Sequence, residues 1–177
     1  MGMTTRASVD ISAPRAEVFR WLTEPEKLTA WLGGAGSMPA DPAELKVGYT
    51  SQGTIPSPSG GTRPTTLTVT AWDPPSTFAM TISYDGGDSI STYTLGETAS
   101  GTHLELASDT DWAAPDESAV DKAMAGQDEA ARKLVEGYLH DAEAKLARGD
   151  FDANTAQLMQ KSLEDSLAKL KTLVEAG

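Results

Sequence analysis

The sequence predicts an α+β domain, an antiparallel β-meander set between a short helical pair and helices near the C-terminus. Three observations carry this. Residues 9–32 read as an alternating strand, a helix started by Pro14, a second helix started by Pro25, and a Gly33-Gly34 stop. From 65 to 107, apolar and polar residues alternate in short runs separated by turn chemistry. Beyond Pro115 the apolar period becomes three, four or seven.

Ala7, Val9 and Ile11 alternate with Ser8, Asp10 and Ser12, the period of a half-buried strand. Ser12 is placed to cap the next helix, and Pro14 sits in its first turn, where a missing N–H costs nothing. Val18, Phe19 and Leu22 give that helix an apolar face. Thr23-Glu24-Pro25-Glu26 has capping-box spacing, and Leu28, Trp31 and Leu32 form the inner side of the helix that follows. Residues 33–64 are rich in Gly, Pro and Ser. Leu45, Val47 and Tyr49 suggest one strand there, with Gly48 as a bulge. The next strand, 65–72, carries Leu67, Val69 and Ala71 on one side and Thr66, Thr68, Thr70 and Trp72 on the other. After Asp73-Pro74-Pro75, Phe78, Met80, Ile82 and Tyr84 alternate, and Asp85-Gly86-Gly87-Asp88 has the composition of a hairpin turn. Residues 90–95 form another strand and 96–101 a turn. Thr102, Leu104 and Leu106 then alternate with His103, Glu105 and Ala107. Short turns between closely spaced strands mean antiparallel pairing. Two helices follow, one over about 117–148 with a stripe from Val120 to Leu146. The other begins near Asp152 or Asn154, with Met159, Leu163, Leu167, Leu170 and Val174 in line.

The chain of 177 residues suggests one domain. It is long enough to bury roughly 70% of its unfolded surface. It contains no cysteine, which excludes disulfides and thiolate metal sites. Residues 1–5 lack the basic and apolar regions of a signal peptide. No apolar run approaches the roughly 20 residues of a membrane span. The expectation is a cytoplasmic protein with no membrane partner. Net charge is −12, and between Leu28 and Pro115 only Lys46 and Arg63 are basic, against nine acids. That pattern argues against nucleic acid, an anionic membrane or a phosphorylated ligand, each of which needs clustered Lys or Arg.

Motif-borne chemistry is scarce. Gly33-Gly34-Ala35-Gly36 follows a helix rather than a strand, unlike a dinucleotide loop. Residues 57–61 lack the lysine of a phosphate loop, and no Gly-x-Ser-x-Gly elbow occurs. The two histidines, His103 and His140, are far apart, so no metal site is expected and no cofactor is implied. Alternation places His103 opposite Leu104 and Leu106, towards solvent.

The pattern as a whole resembles the START-like, Bet v 1-like superfamily, and within it the bacterial polyketide cyclase and Hsp90-ATPase-activator-like group. The resemblance rests on the 9–32 segment with Ala13-Pro14 and Trp31-Leu32, on Lys46-Val47-Gly48, and on Ala71-Trp72-Asp73-Pro74-Pro75. It rests also on Gly101-Thr102-His103-Leu104-Glu105-Leu106 and on residues 162–171 as the last helix. It implies a helix-grip fold, in which a curved antiparallel sheet wraps a long C-terminal helix and two short helices close one end. A cavity lies between sheet and helix. On this pattern 117–148 is an extra helix, an insertion before the final one within a single 1–177 domain. The reverse assignment, with 117–148 gripped and 152–175 added, stays open.

The expected cavity lining is Leu67, Val69, Phe78, Met80, Ile82, Tyr84, Tyr93, Leu104 and Leu106 from the sheet. Met159, Leu163, Leu167 and Leu170 join from the final helix, with Trp31 and Trp112 at the ends. Such a lining suits a hydrophobic or amphipathic small molecule, although the same stripes also describe an ordinary core. Three functions follow from the fold. The first is a module that holds such a molecule. The second is an enzyme like the cyclases or dehydratases, with Tyr84, Tyr93 and His103 as its polar groups. The third is an interaction protein like the Hsp90 activators. Gly126 and Gly137 permit close helix approach, so 117–148 either covers the cavity or pairs two copies as a homodimer.

Overall fold

A computed structural model describes residues 2–32, 38–56, 62–84, 87–112 and 153–177. The elements in chain order are β1 (Gly2–Ile11), α1 (Arg15–Thr23), α2 (Pro25–Leu32), a 3-10 turn (Pro42–Glu44), β2 (Thr50–Pro56), β3 (Thr62–Asp73), β4 (Thr77–Tyr84), β5 (Gly87–Thr98), β6 (Gly101–Trp112) and α3 (Ala153–Glu175). The expected 117–148 helix lies outside the described residues.

The strands form one antiparallel sheet in the order β1-β6-β5-β4-β3-β2. Because β1 pairs with β6, the first and last strands are neighbours, and α3 lies across β1 with α1 and α2 beside it. This is the α+β helix-grip arrangement, and among the described residues the final helix is the long helix packed against the sheet. α3 is held there by Leu167 and Leu170, 1% and 0% exposed, and by Val174. Its polar side chains also bind the backbone edge of β1. Gln160 donates to the Arg6 carbonyl, Lys171 donates to the Asp10 carbonyl, and Glu175 accepts the Ser12 N–H at 2.8 Å. An edge strand whose backbone groups are engaged in this way is a poor template for another chain.

Five local expectations are corrected. Leu32 is not on the inner side of α2, where only Leu28 and Trp31 are buried; it is 53% exposed. The Leu45–Tyr49 region is not a strand. Gly48 sits at φ +86 in a turn where Tyr49 N–H reaches the Lys46 carbonyl, Val47 is left exposed, and β2 starts at Thr50. Ser12 does not cap α1, since its N–H is committed to Glu175 and Pro14 takes the N-cap position without a side-chain bond. The Thr23 capping box does not form, because the Thr23 hydroxyl turns back to the Phe19 carbonyl at 3.0 Å. Trp72 does not face away from Leu67 and Val69. The register slips between Val69↔Met80 and Ala71↔Ala79, leaving Thr70 as an extra residue that reverses the alternation. Trp72 thereby turns inward and stands edge-on to Phe78 at 5.6 Å and tilted against Phe19 at 5.3 Å.

Candidate functional site: the concave face of the sheet

Cross-strand partners share a face, so the register determines which residues line the side that α3 covers. One row runs Ala7–Leu106–Tyr93–Phe78–Trp72, with Val9–Leu104–Leu95 beside it. These residues make the deep floor. Phe78 and Tyr93 stack at 5.8 Å with their planes 10° apart, and Trp31 meets Tyr93 edge-on at 6.4 Å. Trp31 is fixed from both sides. Its indole N–H donates to the Ser166 carbonyl at 2.9 Å, and Lys169 donates to its own carbonyl.

The structure brings most of the expected lining residues together. Trp31, Leu67, Val69, Phe78, Tyr93, Leu104, Leu106, Leu167 and Leu170 are buried in a single cluster, with Met80 and Leu163 partly buried against it. Ile82 and Tyr84 continue the inner face of β4 and are half-buried. Trp112 ends β6 and Met159 lies in α3, and both of these side chains fall outside the description. His103 is on the opposite, convex face. It is half exposed and bonded through Nδ1 to Asp10 at 2.7 Å, so it does not join Tyr84 and Tyr93 in an acid–base group.

The register also reveals a feature absent from the expected lining. Towards the far end of the inner face, the apolar floor gives way to hydroxyls. Thr5 opposes Ser108, which opposes Ser91, and in the next row Thr110 opposes Ser89. Ser89 and Thr110 hydroxyls are 3.3 Å apart. Thr5 Oγ1 reaches only the Ser108 carbonyl, at 3.5 Å, and the hydroxyls of Ser91 and Ser108 have no partner among the described residues. Met80 and Ile82, across from Ser91 and Ser89, supply an apolar flank. Ser89, Ser91, Ser108, Met80 and Ile82 are all half-buried, whereas the floor beneath Leu104 and Phe78 is closed. The signal was present in the sequence. Ser89-x-Ser91-x-Tyr93-x-Leu95 and Leu104-x-Leu106-x-Ser108-x-Thr110 both grade from apolar to hydroxyl with period two.

Electrostatically the inner face is quiet. Burial pushes the Tyr93 phenol up to about 12, so it stays protonated at neutral pH. Its hydroxyl has no hydrogen-bond partner among the described residues. Among those residues no group of three or more His, Asp or Glu side chains is arranged to hold a metal. Two open hollows lie at the rim. One, of about 360 Å³, sits between β1 and α3, is lined by Met3, Thr4, Thr5, Gln157, Gln160, Lys161 and Glu164, and reaches the hydroxyl rows through Thr5. The other, of about 340 Å³, lies where Arg15 pairs with Glu97.

The family profile described as "Activator of Hsp90 ATPase homolog 1-like protein" matches residues 12–138, well over half of the chain. The chain belongs to this family. The expected START-like, Bet v 1-like superfamily is thus the right one, and its fold is a small-molecule-binding fold. Among solved structures, a protein of Chromobacterium violaceum is similar at 21% identity and TM-score 0.57, over 97% of this chain and 96% of that one. A protein from Rhizobium leguminosarum gives 15% identity and TM-score 0.60, over 100% and 97%. The solution structure of a Bacillus halodurans protein gives 19% and 0.58, over 98% and 97%. At these identities the likeness concerns the fold. A comparison with curated proteins gave no match. Among the described residues, no helix is long and apolar enough to cross a membrane.

Proposed function

We propose that this protein holds a hydrophobic or amphipathic small molecule between the concave face of its sheet and α3. The observation that carries the reading is the graded inner face. Buried aromatics at Phe78 and Tyr93 adjoin half-covered apolar side chains at Met80 and Ile82, and these adjoin serine hydroxyls, of which Ser91 and Ser108 have no partner among the described residues. Binding sites for small molecules have this composition, a largely apolar wall with a few placed polar groups. Holding is favoured over reacting because His103 sits on the other face, paired with Asp10, and the inward phenol of Tyr93 is held protonated. A general acid or base needs a proton affinity near the working pH.

The test uses Nile red, an uncharged apolar dye. The native protein is expected to take it up at one molecule per chain, with blue-shifted emission. Met80→Trp, which fills the flank from the sheet side, is expected to weaken uptake at least tenfold while the melting temperature holds. Absence of saturable uptake by the unmodified protein, or uptake that Met80→Trp leaves unchanged, would overturn the reading.

A further inference from the structure

We propose that the polar part of the bound molecule is uncharged and oxygen-bearing, and that it is taken by the hydroxyls of Ser89, Ser91, Ser108 and Thr110 on the inner face of β5 and β6. This deepens the small-molecule reading and rests on it.

Chemical neutrality of the patch is the first support. Directly opposed side chains sit about 5 Å apart and those two residues along a strand about 7 Å apart. The four hydroxyls therefore form one compact patch. The charged neighbours Asp88, Asp109 and Asp111 alternate with them in sequence, so each lies on the convex face. Glu97 has inner-face parity but stands at the rim, exposed, on Arg15. Arg63 also has this parity, at the start of β3 and beyond Tyr84, and its side chain lies outside the description. From α3, Lys161 and Glu164 line the hollow beyond Thr5, but Lys161 is paired with Asp165 and Glu164 accepts from Gln160. No unengaged countercharge thus flanks the patch among the described side chains, and an ion placed there would lose hydration without gaining a free partner. The charge of the whole chain, −12, adds a further bias against anions.

Hydrogen-bonding capacity is the second support. A hydroxyl donates one bond and accepts others. Ser91 and Ser108 have spent neither within the described protein, and both are half-buried. Alcohol, ketone or ester oxygens satisfy such groups without bringing charge. Beside the patch, Met80, Ile82 and the edge of Tyr93 receive the hydrocarbon. The ligand class is thus an oxygenated neutral lipophile, distinct from fatty acids, bile-acid-like carboxylates, phospholipids and amines.

The experiment is displacement of Nile red at pH 7 by four probes of matched chain: decan-1-ol, methyl decanoate, decanoate and decylammonium. The alcohol and the ester are expected to displace the dye at concentrations at least about tenfold below either ion, because the patch offers an ion no partner. In Ser91→Ala/Ser108→Ala the alcohol is expected to weaken by about threefold to tenfold, in line with one or two lost hydrogen bonds, with dye uptake retained. Thr110→Val, which keeps the shape and removes one hydroxyl, serves if the double variant does not fold. Equal or better displacement by decanoate or decylammonium would overturn this inference and leave the small-molecule reading standing, as would an alcohol affinity indifferent to losing the hydroxyls. A protein that takes up no Nile red at all would overturn both.

Discussion

Tyr93 sits at the junction of floor and hydroxyl patch, stacked on Phe78, edge-on to Trp31, and 6% exposed. Burial alone holds its phenol up at about 12 against an ordinary value of 10.0. A group whose folded value is raised contributes stability that is present below the unfolded value and lost as pH rises through the folded one. Between pH 10 and 12 the unfolded chain ionises this tyrosine and the folded chain does not. Tyr93→Phe is therefore expected to remove part of the alkaline loss of stability in that window, read as the urea midpoint at pH 9 and pH 11. At neutral pH the same change is expected to cost less than about 1 kcal/mol, since the hydroxyl leaves no orphaned partner behind. A large loss at pH 7 would mean that the phenol is hydrogen-bonded inside the protein.

At the scale of elements, α3 is fastened to β1 along its length, and the last fastening is the Glu175 carboxylate on the Ser12 N–H, with Lys171 beside it at 3.2 Å. The bond from the Ser12 backbone, then the lysine, hold that carboxyl below its ordinary value of 4.5. A depressed acid contributes above its unfolded value and the contribution disappears as pH falls through the folded one. Protection of the Ser12 amide from hydrogen exchange is expected to decline as pH falls below about 4.5, and to be low at every pH in Glu175→Gln. Similar protection in that variant would place the fastening elsewhere. Much of the element order was legible in the sequence. Period two in 65–84 and 102–107, the proline starts of α1 and α2, and the 3.6-period stripe of 163–174 each reflect burial on one side, which alternation records directly. What escaped was set by backbone geometry. The extra residue at Thr70 turns Trp72 inward, and the positive φ of Gly48 delays β2, although neither disturbs the local composition. The hydroxyl patch escaped for a different reason. Serines on an inner face look like solvent-facing serines until the register shows which residues oppose them.

For the whole molecule, the sheet depends on α3 to cover its inner face near β1. Ala7, Leu104 and Leu106, 7%, 0% and 4% exposed, lie in the same cluster as Leu167, Leu170 and Val174. A chain ending at residue 152 is expected to be insoluble, or to bind apolar dye non-stoichiometrically with loss of the near-ultraviolet aromatic signal, as expanded states with exposed apolar surface do. A soluble, cooperatively melting truncate would show that the sheet has another cover. The likeness to proteins from Chromobacterium, Rhizobium and Bacillus at 15–21% identity fits this picture. A pattern of faces can persist through extensive exchange of residues, while the polar groups on those faces decide what is bound.

The seating of the last helix against the first strand also bears on synthesis. The strand made first must wait for β6 to pair with and for α3 to bind its outer edge. Such distant pairings form slowly. A ribosome-bound chain that has emitted only the strands presents an unclosed β edge, and closure becomes available only after residue 175 has left the exit tunnel. Chaperone occupancy during translation should therefore be greatest in the interval between the emergence of β6 and that of α3.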